Sequence, residues 1–227
     1  MAARFPGFPP EALQFLRDLE ANNDRDWFQP RKEIYDEKVK KPLYELVTAL
    51  NEELARFAPD YRTDPSKAVY RIYRDTRFSN DKSPYKTHAA ASFYHRTLGK
   101  HVAAGYYFHF SPKELLVGGG LWAPGSKELL AVRRRISKEP ETLRAILADK
   151  TFRKLLGQMS GETLKRPPKG FDAEDPALDL LLYKQFLAGA QLEPQWLETP
   201  KAFTEIAKRF EAISPLVEFV NGAIAGR

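Results

Sequence analysis

The sequence predicts an α+β fold, with an antiparallel sheet over about residues 68–121 flanked by N-terminal and C-terminal helices. Three observations predict it. Apolar residues recur with a period of about 3.6 up to residue 58 and again after residue 126. Between those stretches the period falls to about two, and β-branched and aromatic residues dominate. The joins at Leu98-Gly99-Lys100 and Ser111-Pro112-Lys113 have hairpin length, which makes neighbouring strands antiparallel. Helices, then a sheet, then helices is the layout of α+β and not of alternating α/β.

Each element follows in chain order. Residues 9–22 read as a helix with Leu13, Leu16 and Leu19 on one stripe. Pro9 and Pro10 suit its first turn, where no amide donor is needed, and Asn22-Asn23 is a stop. Residues 25–58 carry Ile34, Val39, Leu43, Leu46, Val47, Leu50, Leu54 and Phe57 at helical spacing, and Pro42 should kink or split this segment. Residues 59–67, with Pro59, Asp60, Asp64 and Pro65, read as a loop. Strands are expected at 69–74, 87–96, 102–110 and 114–121, with Tyr106, Phe108 and Phe110 on one face of the third. Helices follow at 126–138, 141–148 and 151–157, then a charged, proline-containing loop at 164–175. Asp175-Pro176 and Thr199-Pro200 each place a capping residue before a proline, a pair of helix-start signals. Residues 184–192 are ambiguous and can add a further strand. A closing helix, bent at Pro215, is expected over 200–225.

Composition narrows the class. Of 227 residues, 43% are apolar, enough for a core. No apolar run approaches the roughly 18 residues that suggest a membrane span. Residues 1–6 show no apolar signal region. The chain has no cysteine, which excludes disulfides, thiolate nucleophiles and sulfur-built zinc sites. A soluble, cytoplasmic protein is expected.

The net charge of +6 is unevenly placed. Residues 71–101 hold seven basic side chains against two acidic ones, an excess of five, which leaves about one for the rest of the chain. All four histidines, at 88, 95, 101 and 109, and six of the ten tyrosines lie in or near this stretch. A local excess of this kind points to a site for an anion rather than to a generally basic surface.

The excess centres on one polar run, residues 74–88, far longer than the roughly 4–6 residues of most connections. Phe78, Pro84 and Tyr85 within it call for packing partners. Arg74 and Arg77 suit bidentate contacts to phosphate or carboxylate, and Lys82 and Lys86 act as point charges. Ser79, Asn80, Ser83 and Thr87 add neutral hydrogen bonds. Asp75 and Asp81 can orient the cations, ligate a hard metal or act as bases, and His88 can move protons near neutral pH. The competing reading is an ion-pair network that pins the loop, with Asp75 clamping an arginine. Tyr85 either packs the loop down or stacks on a ligand.

Other features are weaker. Gly118-Gly119-Gly120 lacks the spacing of a phosphate loop and suggests close packing, with Trp122 as a core residue or a pocket wall. The basic segment 165–171 reads as solvated, although Phe171 argues that it docks on something, conceivably over the first loop. Arg133-Arg134-Arg135 reads as a wet helix face. Asn22 to Phe28 reads as a helix junction whose amides can line a pocket. The histidines have no zinc-enzyme spacing, and His88 and His95 differ in strand parity. No metal site and no cofactor are therefore named.

The run 74–88 resembles the hallmark R-D-T-R-F-S-x-D-K-x-P-Y-K-T-H of a widespread conserved-hypothetical family classed as a domain of unknown function. Asn22-Asn23 with Trp27-Phe28, Tyr35, Pro42, Val117 to Gly120 and Leu164 to Phe171 agree with it. The resemblance implies one family domain over 1–227. It brings no activity, substrate or catalytic residues with it.

Three functions remain open. The first is binding of a phosphorylated or other anionic small molecule, with Arg74, Arg77, Lys82, Tyr85 and Lys86 as ligand contacts and Asp75, Asp81 and His88 as orienting or catalytic groups. The second is a nucleic-acid-binding module on the same basic strip. The third is a non-catalytic interaction domain with a structural loop. A concave pocket favours the first and a flat positive face the second.

Overall fold

Four antiparallel strands in chain order, β1 (Ala89–Tyr94), β2 (Gly105–Phe110), β3 (Leu115–Leu121) and β4 (Phe186–Leu192), form the centre of the computed structural model, which describes residues 5–100 and 102–226. The fold is α+β. His101 lies outside the described residues. The helices among the described residues are α1 (Pro10–Ala21), α2 (Arg25–Phe28), α3 (Lys32–Ile34), α4 (Lys41–Phe57), α5 (Pro65–Ala68), α6 (Ser126–Lys138), α7 (Pro140–Ala148), α8 (Lys150–Leu156), α9 (Leu178–Leu181) and α10 (Lys201–Ile224).

The sheet has one covered face. Phe93, Tyr106, Phe108, Phe110, Leu115, Val117 and Phe186 alternate onto it and are buried. Ile206, Phe210, Ile213, Leu216, Val217 and Val220 of α10 join Leu43, Leu46, Val47, Leu50 and Leu54 of α4 in the same core. Gly119 permits the close approach: a Cβ there would lie 2.9 Å from Ile213 Cγ2 and 2.7 Å from the Gly105 carbonyl oxygen. Pro215 lies inside α10, which runs on through it.

The stretch before α4 is not one helix. A 3-10 turn spans Gln29–Arg31, and a π turn spans Tyr35–Lys40 directly before Pro42. The proline ring would collide with the carbonyl of Lys38 in a regular α-helix, and the wider turn removes that clash.

The sheet boundaries differ from the sequence expectation at both edges. Residues 69–74 form no ladder. Val69 makes one bridge to Ala91, and Tyr70 N donates to the Ala90 carbonyl at 3.0 Å. The chain then turns away and pairs with 84–86 instead, through Arg74 N to Pro84 O, Lys86 N to Ile72 O and the bridge Tyr73–Tyr85. The cause is Asn23. Its side-chain amide donates to the Tyr85 carbonyl and accepts from the Tyr85 amide, at 3.0 and 3.1 Å, satisfying the backbone that a longer ladder would have used. At the far edge the ambiguous 184–192 segment supplies β4, which pairs with β3. Both edges are covered, one by residues 69–70 and the other by Ser160, whose backbone bonds Leu187 in both directions.

Asn51 binds the backbone of Thr63 and Asn221 that of Ala104, each in the same two-point way as Asn23 binds Tyr85. The expected wet face at 133–135 is a second tie. Arg133 is 9% exposed and donates to the carbonyls of Leu181 and Tyr183, while Arg135 donates to that of Phe219. No helix among the described residues is long and apolar enough to cross a membrane.

Candidate functional site: a trough on the second face of the sheet

The strand alternation that buries Tyr106, Phe108 and Phe110 turns Gly105, Tyr107 and His109 to the opposite face. The cross-strand rows there are Ala90–His109–Leu116–Gln191, Ser92–Tyr107–Gly118–Gly189 and Tyr94–Gly105–Gly120–Leu187. Four glycines among these positions leave the face without side-chain bulk. Gly120 has φ +119° and could carry no Cβ, which would fall 2.0 Å from the Phe186 carbonyl oxygen. A trough of about 780 Å³ results, within the range of small-molecule sites.

The walls of the trough differ from end to end. Over β1 and β2 stand Tyr70, Lys86, His88, Lys100, Tyr107 and His109. Over β3 and β4 the lining is Leu116, Gly118, Gly120, Leu187 and Gly189, with Trp122 at the rim. Among the described residues, no carboxylate lines it.

The two lysines share one aromatic ring. Lys100 Nζ lies 4.5 Å from the Tyr70 ring centre and Lys86 Nζ 5.3 Å from it, and Lys86 donates to the Arg71 carbonyl at 2.9 Å. Burial lowers the Lys86 ammonium from its ordinary value, and the like charges of Arg71 and Lys100 add to this. His88 is also lowered, by burial first and then by His109 and Lys86. Tyr107 is pushed up to about 12 by burial, with Tyr70 and Glu114 contributing.

The His88 and His109 rings lie 5.4 Å apart. His109 Nε2 bonds Glu114 Oε1 at 2.9 Å. The carboxylate can only accept, so Nε2 donates to it, which leaves Nδ1 as the second ring nitrogen. That Nδ1 and Ser92 Oγ are buried without a hydrogen-bond partner, and both residues belong to the trough side of the sheet. His95 lies apart, its ring edge-on to Tyr61. Among the described residues, no three His, Asp or Glu side chains gather as a metal site.

Of the eight residues expected from the sequence to form a site, Lys86 and His88 line this trough and the other six do not. Arg74 pairs with Asp81 and reaches Ser79 Oγ. Arg77 pairs with Asp75 through Nε and a terminal nitrogen, at 3.0 and 2.7 Å. Lys82 donates to the Thr76 carbonyl. Asp81 is held well below the ordinary carboxylate range, first by the Ser83 hydroxyl and amide and then by Arg74. Asp75 is held at about 2 by the Arg77 guanidinium and amide. Tyr85 is 1% exposed and stacks on Phe28 with ring centres 4.1 Å apart. Phe78, expected to need a packing partner, is 94% exposed.

Sequence reasoning missed Tyr70, Ser92, Lys100, Tyr107, His109 and Gly189 as lining residues. The strand parity that singled out Tyr106, Phe108 and Phe110 already put Tyr107 and His109 on the other face. Trp122 is 69% exposed, a rim residue rather than a core one. Phe171 packs against the core cluster and does not line the trough.

Comparison with known proteins agrees with the sequence resemblance. The family model described as "Conserved hypothetical protein (DUF2461)" matches residues 11–219. A search of the curated proteins finds no match.

Proposed function

We propose, for a chain that belongs to the DUF2461 family of conserved hypothetical proteins, that it binds a small phosphorylated or otherwise anionic molecule in the trough on the sheet. The observation that carries this reading is the lining itself. Two lysines and two histidines stand at one end of a concavity with no carboxylate in its wall. Like charges crowded over one tyrosine ring repel each other, and a bound anion relieves that repulsion. An amide, hydroxyl or water can share the site, but only an anion changes the sign of the local interaction. Lys86 and Lys100 are assigned to the anion and His88 to its second side.

The polar run 74–88 takes part through its last residues. Its earlier charges pair with one another, Arg74 with Asp81 and Arg77 with Asp75. Concavity also ranks this reading above a nucleic-acid module, which would use a flat, extended positive face.

The test is a thermal melt at rising sulfate or phosphate concentration. A ligand that binds only the folded state raises the melting point with concentration. Wild type should be stabilised and the double variant Lys86→Met, Lys100→Met should not. Methionine keeps an unbranched, flexible side chain only one atom shorter and removes the charge. Equal stabilisation of both proteins would remove the trough as the anion site.

A further inference from the structure

The lining changes character across the sheet, and this gives the ligand a second requirement. From β1 to β4 the trough spans three strand spacings, each roughly 4.8 Å. All its cations and histidines stand over β1 and β2 or on the segments that flank them. Over β3 and β4 it offers bare backbone at Gly118, Gly120 and Gly189, the side chains of Leu116 and Leu187, the Ser160 hydroxyl, which donates to the Leu187 carbonyl at 3.4 Å, and the Trp122 indole at the rim. Strand amides and carbonyls there are already used in the β3–β4 ladder, so this end has little to offer a second charge or a polyhydroxylated body. A floor without side chains between an indole and a leucine suits a flat, apolar face.

We propose that the ligand is an amphipathic aromatic anion: a phosphate or carboxylate joined to a planar ring, with the anionic group at Lys86, Lys100 and His88 and the ring over Gly118 and Gly189 against Trp122. This rests on the anion reading above and adds to it the chemistry of the other half of the molecule. The centres of the two halves are about 10 Å apart, two strand spacings, so the anionic group and the ring are joined by a short linker and not fused. The ring is recognised by shape and apolar contact, without a base-specific hydrogen-bond code. Two ring-bearing classes share this chemistry, nucleoside monophosphates and simpler arylalkyl phosphates or carboxylates, and the probes separate them.

The experiment measures dissociation constants for inorganic phosphate, ribose 5-phosphate, 3-phenylpropyl phosphate and adenosine monophosphate. It uses wild type, Trp122→Ala and the double variant Lys86→Met, Lys100→Met. Trp122 is exposed, so its removal leaves the fold intact. We expect at least one ring-bearing phosphate to bind about tenfold or more tighter than its ringless counterpart, the effect of one aromatic stack. In Trp122→Ala that gain should shrink several-fold while inorganic phosphate binds as before. Tryptophan fluorescence supplies a second readout, with ring-bearing ligands changing the Trp122 emission and inorganic phosphate leaving it unchanged.

If ringless and ring-bearing phosphates bind alike, or if the gain survives Trp122→Ala with no fluorescence change, the aromatic inference is overturned and the anion reading stands. If no probe binds wild type, or if the double lysine variant binds as tightly as wild type, both fall. A gain seen with 3-phenylpropyl phosphate and adenosine monophosphate alike supports shape recognition. A gain confined to adenosine monophosphate and lost with Trp122 assigns the site to nucleotides.

Discussion

The polar loop and the trough hold similar chemistry in opposite states. In residues 74–83 the charges are dense, exposed and satisfied: Arg74 with Asp81, Arg77 with Asp75, Lys82 with a carbonyl. In the trough the two lysines are partly buried and pair with no carboxylate among the described residues, Lys86 donating to the Arg71 carbonyl, and Lys86 and His88 are pushed below their ordinary values by burial. The loop has the signature of a motif, and the trough has the electrostatics of a site. The difference teaches that charge density in a sequence reports how a segment is fastened at least as readily as what it binds. A cation without a carboxylate partner in a concavity is the more specific sign of a ligand.

The comparison can be broken at the joint between the two regions. Tyr85 stacks on Phe28 and has its backbone clamped by Asn23. Removing the ring in Tyr85→Ala should cost about 3–5 kcal/mol in a denaturant melt, the range for deleting a large buried aromatic. A loss of under about 1 kcal/mol would mean that the loop is not anchored through this residue.

The next effect is on binding. Lys86→Met should weaken sulfate or phosphate binding about tenfold or more in a calorimetric titration, because a hydrogen bond to a charged group contributes roughly 1.5–3 kcal/mol. The melting point without ligand should stay close to wild type.

A smaller effect follows from His88. Its folded-state value lies below the ordinary 6.5, so the unfolded chain takes up the proton first as pH falls. Its contribution to stability is complete above about 6.5 and is lost as pH drops through the depressed folded value. Bound anion favours the protonated ring and should oppose that loss. Melts in sulfate, whose own charge does not change over about pH 5 to about pH 8, should therefore show a ligand-induced gain that grows on acidification. The growth should be weaker in His88→Gln, and a pH-independent gain would remove His88 from the site.

The smallest effect is the most pointed. Arg77 is 77% exposed and paired with an exposed carboxylate, so Arg77→Ala should leave both the melt midpoint and anion affinity within experimental scatter. A clear loss of affinity would return the site to the loop.

Much of the fold was legible because its signals are local. The period near 3.6 marked α1, α4, α6 and α10, and alternation marked β1 to β3. Pro42 announced the irregular helix before α4. The edges were less legible, because Val69 and Tyr70 look like any strand until Asn23, distant in the chain, takes up the backbone of Tyr85. The trough was half legible. Lys86 and His88 stand out in the motif, and Tyr107 and His109 follow from parity with Phe108. Its other half depends on β4 pairing with β3 across a long helical excursion, and no local pattern places Gly189 beside Gly118. Arg133 was misread for a similar reason: its carbonyl partners, Leu181 and Tyr183, lie far along the chain.

The most direct test locates the anion. Backbone amide shifts recorded by NMR during a sulfate titration should change most at Lys86 to Ser92, at Lys100 and at Gly105 to His109, with Arg74 to Ser83 nearly still. Shifts concentrated at Arg74 to Ser83, with the sheet unmoved, would contradict the account and make the polar loop the binding site.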